Sequence, residues 1–298
     1  MIDKYTELFK DRYPNGKIKF VDSGQQNVVF ELDGDCILRA PKKIRKNNYR
    51  SEIEVLSYIR DDFKDFKIPD MVLAEHNDIP YTVHKKLQGD ACSYEQFLSF
   101  NRYQQKNFIE SFVYFARRMH EFIEAEMPAC AYIKYQSWPI ISYDFMADFL
   151  DCYLSSDDII RLHNDYEECS ERHFKEYDSI CFVLLHGNLS FDNVLLEKNK
   201  TITAIYDFED VKFGEVELEF VPLFRQETMW LLKKILTEYR KQTNIMLNLR
   251  RIAELTIADC VPELIYAIKD VKPGSNDYAQ VKQVLHRIKY AQGFIRNR

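Results

Sequence analysis

The sequence lacks several features that would place the protein in a specialised class. Among its 298 residues, no apolar run approaches the roughly 20 residues that a membrane-spanning helix needs. It contains no internal repeat and no low-complexity linker. The first residues, 1–14, mix charged and apolar side chains, so they resemble neither a signal peptide nor an anchor. We therefore expect a globular protein that stays in the cytoplasm and has no membrane partner.

Cysteine is present but is not arranged for cross-linking. The seven cysteines are scattered along the chain, and none is spaced as Cys-x-x-Cys. An odd number of widely separated cysteines predicts reduced, mostly buried thiols rather than zinc ligands or disulfides.

Positive charge is also in deficit. The net charge is −6, and the acidic excess lies after residue 89. An acidic surface repels nucleic acid and attracts cations, so we expect no nucleic-acid partner. The same excess equally suits an ordinary solubilising surface.

The first 88 residues have the pattern of a small β-rich lobe. Five short runs predict strands, at 18–21, 28–32, 36–40, 71–74 and 81–84. Asp33-Gly34 lies between the second and third runs and suits a two-residue hairpin turn. Apolar residues at helical spacing predict a helix from about residue 48 to 60.

From residue 89 onward the pattern is mainly helical. Helices are predicted at 94–126, 142–154, 156–177, 222–242, 248–268 and 278–295. One β-rich island interrupts them, with a hairpin of strands 194–196 and 202–206 across Lys198-Asn199-Lys200. The sequence therefore predicts an α+β chain of two lobes, 1–88 and 89–298, joined by a hinge near residues 85–89.

The residues that point to chemistry lie around this hairpin. The run His186-Gly187-Asn188-Leu189-Ser190-Phe191-Asp192-Asn193 precedes it, and Asp207-Phe208-Glu209 follows it. Antiparallel pairing brings Asn193 and Asp207 to the same end of the hairpin. Two hard oxygen donors at one point suit Mg²⁺, and kinase-type phosphoryl transfer uses such an Asn and Asp to hold the metal against the phosphates.

These two runs resemble the aminoglycoside phosphotransferase and choline kinase family. Its pattern is His-Gly-Asp-x-x-x-x-Asn followed by an apolar residue, Asp, an aromatic residue and Gly or Glu. The resemblance covers residues from about 17 to 245 and is closest to the aminoglycoside 2″-phosphotransferases. It implies a two-lobed protein-kinase-like fold and transfer of phosphate from ATP or GTP, with Mg²⁺, to a hydroxyl of a small cationic acceptor. An aminoglycoside is the expected acceptor, which would make the protein an antibiotic-resistance enzyme.

One position departs from the family pattern. The family has its catalytic Asp where this sequence has Asn188, and an amide accepts a hydrogen bond but cannot take up a proton. Loss of a general base costs about 10²–10⁴ in rate. Three interpretations stay open: an enzyme that orients the hydroxyl with Asn188, a natural pseudo-enzyme, and an enzyme whose base was deliberately replaced.

The resemblance also assigns residues of the N-terminal lobe. Ser23 and Gly24 lie in residues 22–27, which we call the nucleotide loop, between the first two predicted strands. Arg39 matches the cation that contacts the phosphates, and Glu52 matches its ion-pair partner. Backbone groups of Lys85 and Leu87 in the hinge would bind the purine.

The acceptor site is less clearly indicated. Ser190, Asp192 and Glu227 are candidates by position, although Asp192 also suits a loop-supporting role and Glu227 a solvated helix surface. Two rival functions share the motifs: a kinase of another metabolite, such as choline, a sugar or homoserine, and a nucleotide-binding pseudokinase. A protein kinase is disfavoured because no Ala-Pro-Glu segment follows Asp207.

Overall fold

The computed structural model describes residues 1–24, 26–43, 49–123, 127, 134–176, 181–270 and 278–296. Backbone contacts divide the chain into two compact units. The first unit comprises Met1–Arg118, Glu124–Lys134 and His186–Lys212, and the second comprises Met119–Ile123, Tyr135–Leu185 and Phe213–Arg298. The segment His186–Lys212 thus groups with N-terminal residues. The division into functional lobes after residue 88 stays a prediction.

The first unit is built on a five-stranded antiparallel sheet. Its strands are β1 (Ile18–Ser23), β2 (Asn27–Leu32), β3 (Cys36–Pro41), β4 (Val72–His76) and β5 (Ile79–Lys85), in the order β1-β2-β3-β5-β4. All five predicted strands are present. Asp33 and Gly34 both have positive φ, as a primed hairpin turn between β2 and β3 requires.

One face of this sheet packs against α1 (Ile2–Arg12), a helix that the sequence analysis did not predict. Its residues Tyr5 and Phe9 lie one turn apart and are buried. The ring of Phe9 meets Phe30 and Tyr81 edge to face, with centroids 5.3 and 5.2 Å away. Burial of each large apolar side chain contributes roughly 1.5–3 kcal/mol, so α1 closes the apolar side of the sheet.

The opposite face of the sheet carries several buried polar side chains. Side chains alternate between faces along a strand, and Arg39 on β3 pairs directly with Thr82 on β5. By the same register, Asn27 and His84 share this face. All four residues are buried. The helix that follows β3 is α2 (Arg50–Ile59), close to the predicted bounds.

A second sheet contains the predicted hairpin. Strands β9 (Val194–Leu196) and β10 (Ile202–Ile205) pair antiparallel, and β6 (Asp90–Ala91) pairs with β9. Gly89 lies just before β6 with φ 146°, and a Cβ there would be 2.7 Å from the Cβ of Leu195. Only glycine fits where the chain passes this close to the hairpin.

The helix predicted over 94–126 is two helices in the described residues, α3 (Tyr94–Leu98) and α4 (Arg102–His120). Each begins at a capping box, in which the backbone N–H of each of two residues donates to the side-chain oxygen of the other. Ser93 and Gln96 form the first, and Asn101 and Gln104 form the second. The second box starts a new helix, so the prediction of one helix was wrong; residues 124–126 lie outside the described ranges.

Helix α4 anchors the segment that carries the motif. Phe191, in the middle of the first run, stacks on Phe108 with centroids 5.1 Å apart and also contacts Phe97 at 5.7 Å. The backbone N–H of Ile202 on β10 donates to the hydroxyl of Ser111 at 3.0 Å. The hairpin is therefore fixed to the first unit by packing as well as by strand pairing.

The second unit is mainly helical. Its helices are α5 (Tyr143–Leu150), α6 (Ser156–Glu176), α7 (Val221–Arg225), α8 (Met229–Thr243), α9 (Leu249–Asp270) and α10 (Tyr278–Arg296). Short strands β7 (Lys134–Tyr135), β8 (Val183–Leu185) and β11 (Lys212–Gly214) form a sheet in the order β7-β11-β8. With a β-sheet N-terminal region and a helical C-terminal region, the predicted kinase-like α+β class is confirmed.

The helix predicted over 222–242 is also interrupted. Between α7 and α8, Glu227 has φ 56°, a left-handed conformation that ends a helix. The hydroxyl of Thr228 donates to the carbonyl of Leu223 at 2.9 Å and so satisfies a carbonyl of the α7 turn. This local side-chain bond explains a break that apolar periodicity alone did not reveal.

The structure also bears on disulfides and membrane helices. Six cysteines fall in the described residues and all six are free; Cys92, Cys169 and Cys260 are buried, but Cys152 and Cys181 are exposed. The prediction of mostly buried thiols is thus only partly met, and the seventh cysteine lies outside the described ranges. None of the described helices combines the length and apolar character that crossing a membrane requires.

Candidate functional site

Two residues with oxygen-bearing side chains lie at the same end of the β9–β10 hairpin. Asn193 directly precedes β9, and Asp207 follows β10 after Tyr206. Val194 pairs with Ile205, and the backbone N–H of Tyr206 donates to the carbonyl of Asn193 at 3.1 Å. The register therefore brings both residues to one end of the hairpin, as antiparallel pairing predicts, and their role as metal ligands stays a prediction.

The chemistry of this pair suits a hard cation. Asn193 is buried, and its Nδ2 donates to the carbonyl of Asn188 at 2.8 Å. Because that bond uses the nitrogen, the amide oxygen is the atom left as a possible metal ligand. The side chain of Asp207 is 32% exposed and adds a carboxylate. In the described residues, no group of three or more His, Cys, Asp or Glu could hold a metal.

The cation expected to contact phosphates lies beside this pair. Arg39 Nη1 donates to Glu52 Oε1 at 2.8 Å, and Nη2 lies 3.3 Å from both Asp207 Oδ1 and Glu209 Oε2. Burial acts to lower the pKa of Arg39, but the three carboxylates outweigh it and raise the pKa. The guanidinium is thus permanently charged and is surrounded by more negative charge than it can balance.

Glu52 joins this cation to the motif backbone. The same Oε1 that binds Arg39 also accepts a hydrogen bond from the backbone N–H of Phe208 at 3.1 Å. Glu52 is 3% exposed, and a buried carboxylate is tolerated only when it is paired in this way. The predicted Arg39–Glu52 ion pair is present and also positions the residue after Asp207.

Glu209 is part of the site, although the sequence analysis did not select it. Its Oε2 accepts a hydrogen bond from Asn27 Nδ2 at 2.6 Å and lies 3.3 Å from Arg39. Burial, followed by the charge of Asp207, raises the pKa of Glu209 to about 7. Its place two residues after Asp207 was a usable signal, but Asn27 carried none.

The segment before Asn193 is held by His186 and Gly187. His186 is fully buried, with Nε2 3.0 Å from the carbonyl of Tyr206, and Nδ1 accepts a long bond from the N–H of Asn188 at 3.4 Å. Gly187 has φ 82°, and a Cβ there would be 2.2 Å from the carbonyl oxygen of Asp210. The loop and the motif after β10 are therefore in direct backbone contact, which only glycine allows.

Asn188 is partly exposed at the centre of this loop. Its backbone N–H bonds to His186 and its carbonyl to Asn193. Within the ranges that the structure describes, its side-chain amide makes no hydrogen bond. The backbone of Asn188 is thus fixed, and its side chain is available to an incoming group.

Ser23 and Gly24 are the two predicted site residues of the nucleotide loop. Ser23 ends β1, and its N–H bonds to the carboxylate of Asp22 at 2.7 Å. A Cβ on Gly24 would meet only the carbonyl of Asn27, at 4.0 Å. The fold therefore does not itself demand glycine at this position.

The hinge residues are placed at the end of β5. Lys85 is its last residue and Leu87 follows. The imidazole Nδ1 of His84 lies 3.0 Å from the carbonyl of Lys85, one of the groups expected to face the purine. Burial lowers the pKa of His84, which favours the neutral ring.

The three acceptor candidates are not equivalent. Ser190 is buried, and Asp192 is exposed; the backbone carbonyl of Asp192 accepts from the hydroxyl of Tyr206. Both lie in the first unit. Glu227 belongs to the second unit, where its Oε1 lies 2.5 Å from Nε2 of His286.

Comparison with known proteins identifies the family. The sequence profile of the phosphotransferase enzyme family, APH, matches residues 17–255. This match covers most of the chain and includes every motif residue discussed above. The chain belongs to the phosphotransferase enzyme family. No curated protein matches the sequence significantly.

Solved structures share the fold at low sequence identity. The GDP and kanamycin complex of APH(2″)-IIIa has a TM-score of 0.77 at 15% identity and covers 98% of this chain and 99% of its own. The GDP complex of the wild-type aminoglycoside phosphotransferase IIIa has a TM-score of 0.72 at 17% identity, with 98% of each chain covered. Macrolide 2′-phosphotransferase type I has a TM-score of 0.64 at 15% identity, with 97% of each chain covered.

Proposed function

We propose that this protein transfers the terminal phosphoryl group of ATP or GTP to a hydroxyl of a small molecule, with an aminoglycoside as the acceptor. The observation that carries the proposal is the convergence of Asn193 and Asp207 beside the buried Arg39–Glu52 pair. This arrangement supplies two oxygen ligands and a fixed cation, which are the parts that kinase-type phosphoryl transfer requires.

Each residue has a distinct role in this proposal. Arg39 binds the phosphates, and Glu52 holds Arg39 in place through a buried ion pair. Asn193 and Asp207 are the residues that would hold Mg²⁺, which when bound would neutralise charge on the phosphates. Ser23 and Gly24 lie in the nucleotide loop, and the hinge backbone at Lys85 and Leu87 faces the purine.

Asn188 lies at the position that faces the acceptor hydroxyl in this proposal. Its free amide oxygen can accept a hydrogen bond from that hydroxyl and orient it, but the amide cannot take up the proton. Phosphoryl transfer has a loose transition state and depends largely on positioning and charge. Turnover without a carboxylate base at residue 188 is therefore slow but chemically feasible.

The choice of an aminoglycoside acceptor is supported by two observations. The related fold of APH(2″)-IIIa was solved with kanamycin, and the acidic excess of this chain favours a cationic ligand. Ser190 and Asp192, which lie in the same run as Asn188, stay acceptor candidates. Glu227, already paired with His286, is a weaker one. Phosphorylation of an aminoglycoside in the cytoplasm, where nucleoside triphosphates are available, would confer antibiotic resistance.

A second candidate function is nucleotide binding without turnover. Asn188 favours it, because the group that would take up the proton is absent. The retained Asn193–Asp207 pair argues only against a protein that has also lost Mg-nucleotide binding, because binding alone would still use these two residues. A kinase of another metabolite would share the whole site and differ only in the acceptor pocket.

Thermal shift with Mg²⁺ and either ATP or GTP tests the nucleotide site. A ligand at 100 times its Kd stabilises a protein by about 2.7 kcal/mol, so a clear Mg²⁺-dependent rise in Tm is expected. Mass spectrometry of an aminoglycoside and metabolite panel, incubated with the protein, Mg²⁺ and nucleotide, then identifies the acceptor. No shift with either nucleotide would overturn the proposal, and a phosphorylated metabolite without any phosphorylated aminoglycoside would overturn the acceptor.

A further inference from the structure

Three side chains beside the candidate site form a hydrogen-bonded chain. The hydroxyl of Tyr49 donates to Asn27 Oδ1 at 2.7 Å, and Asn27 Nδ2 donates to Glu209 Oε2 at 2.6 Å. Arg39 Nη2 reaches the same carboxylate oxygen at 3.3 Å. We call Tyr49, Asn27 and Glu209 the relay. It ends on the guanidinium that also contacts Asp207.

The direction of each bond in the relay follows from the orientation of the Asn27 amide. Its amino group faces Glu209, so Nδ2 donates and the carboxylate oxygen accepts. The amide oxygen of Asn27 must then accept, and the hydroxyl of Tyr49 must donate. Burial raises the pKa of Tyr49, so this hydroxyl keeps its proton. Each member of the relay therefore orients the next.

The relay connects three segments that each supply a residue to the proposed nucleotide site. Asn27 ends the nucleotide loop and begins β2. Tyr49 is the residue before α2, which carries Glu52. Glu209 lies two residues after Asp207. A single set of hydrogen bonds thus fixes these segments relative to one another within the first unit.

We propose that Asn27 and Tyr49 are positioning residues that hold Glu209 against Arg39 and so keep Asp207 available to the nucleotide's magnesium ion. This inference rests on the proposed function. Arg39 Nη2 is 3.3 Å from both carboxylates, whereas Nη1 is 2.8 Å from Glu52. A guanidinium nitrogen shared between two carboxylates pairs only loosely with Asp207.

Loss of the relay changes how that guanidinium nitrogen is shared. Without the amide of Asn27, Glu209 loses a charge-assisted hydrogen bond and no longer holds its oxygen at Arg39. Arg39 then pairs more closely with Asp207, and the metal must compete with an intact ion pair. The expected effect is on the Mg²⁺ requirement of nucleotide binding, because the hinge and the remaining phosphate contacts are unchanged.

Magnesium titration at a fixed concentration of ATP, and separately of GTP, tests this inference. Isothermal calorimetry would compare the wild type with Asn27→Ala and with Tyr49→Phe, which removes only a hydroxyl. A hydrogen bond to a charged group contributes enough for about a tenfold change, so Asn27→Ala should need about tenfold more Mg²⁺ for half-maximal binding. Tyr49→Phe should need about threefold more, since it loosens the amide without removing it. Nucleotide affinity in EDTA should be the same in all three.

Matched controls separate positioning from general damage. Asn107→Ala removes an amide that bonds the carbonyl of Asn199, and Tyr13→Phe removes a hydroxyl that bonds Tyr81, both in the same unit. Both controls should keep the wild-type Mg²⁺ requirement. If Tyr49→Phe and a folded Asn27→Ala also keep it, the inference is overturned while the proposed function stands. If the wild type binds neither nucleotide at any Mg²⁺ concentration, both are overturned.

Discussion

Two buried arginines, one in each unit, differ in how completely their charge is matched. Arg251 in the second unit donates Nε and Nη2 to the two oxygens of Glu215 at 2.7 and 2.8 Å. Gln136 clamps Glu215 from its other side with two bonds of 2.7 Å. Arg39 in the first unit has one close carboxylate, Glu52, and two at 3.3 Å.

The difference indicates what each cluster is for. In a buried bidentate ion pair, the guanidinium and the carboxylate bond each other and are not available to bind a ligand. The Arg39 cluster instead brings three carboxylates to one guanidinium and keeps part of Asp207 exposed. Excess negative charge that reaches solvent attracts a cation, so the first unit contains an incomplete site and the second a completed structural one.

The largest expected effect is loss of Mg²⁺-dependent nucleotide binding when the Arg39 cluster is changed. Asp207→Asn removes the charge of the proposed metal ligand, and in such a site the ion is the largest local charge. We expect Mg²⁺-dependent binding of ATP and GTP to become undetectable by calorimetry. Asp65→Asn, which changes an exposed carboxylate bonded to Tyr114 in the same unit, should bind like the wild type. Unchanged Mg-nucleotide affinity in Asp207→Asn would show that this residue is not the ligand.

Disrupting the Arg251–Glu215 pair of the second unit should instead lower the stability of the protein. Arg251→Met removes the arginine that balances the charge of buried Glu215, and loss of one member of a buried pair costs about 3–5 kcal/mol. Urea denaturation would measure this loss in the free energy of unfolding. Arg161→Met breaks an exposed pair with Asp158 and should change stability by less than about 1 kcal/mol. Equal losses in the two variants would contradict the contrast between the clusters.

A carboxylate at position 188 tests whether the first unit, which contains the Arg39 cluster, also supports catalysis. Asn188→Asp should raise kcat by roughly 10² or more while nucleotide affinity stays nearly unchanged, as expected for a group that acts only in the transition state. Steady-state kinetics on whichever acceptor the panel identifies would measure it. If the Asn188 form is already as fast, the general-base role assigned to this position fails. If nucleotide binds but the restored variant phosphorylates no aminoglycoside, the aminoglycoside acceptor is wrong.

The smallest effect concerns pH. The folded pKa of Glu209, about 7 against an ordinary 4.5, means that the folded state binds more protons than the unfolded state between these values. Stability from this group is therefore full below pH 4.5 and lost as the pH rises toward 7. Glu209→Gln should lack that decline, so melting temperatures at pH 5 and 7.5 should converge relative to the wild type. Glu75→Gln, an exposed change on β4, should retain the wild-type decline.

The sequence predicted those parts of the molecule that follow from local pattern. Strand alternation and the Asp33-Gly34 turn specify the first sheet, and hairpin geometry alone brings Asn193 to Asp207. Helix ends were harder to predict. The Asn101–Gln104 capping box starts a new helix where apolar periodicity alone predicts a continuous one. The site's remaining contacts could not be predicted in this way.

Those contacts depend on tertiary structure. Asn27 and Tyr49 reach Glu209 only after β2, α2 and the motif are packed together, and no local pattern distinguishes this asparagine from a loop residue. The Arg251–Glu215 pair is similar, because 36 residues separate its members and neither lies in a motif. Long-range polar pairing is set by the fold, whereas turns and strands are set by neighbours in sequence.

The attachment of Asn188 through its backbone alone has an evolutionary consequence. Because its side-chain amide makes no hydrogen bond among the described residues, exchange between asparagine and aspartate there should leave the loop's hydrogen bonds intact, and it is among the smallest changes the genetic code allows. Under the proposed function, a lineage could therefore lose or regain the general base at this position while the proposed nucleotide site persists. Loss of activity by this route would be reversible, unlike loss by decay of the proposed metal ligands.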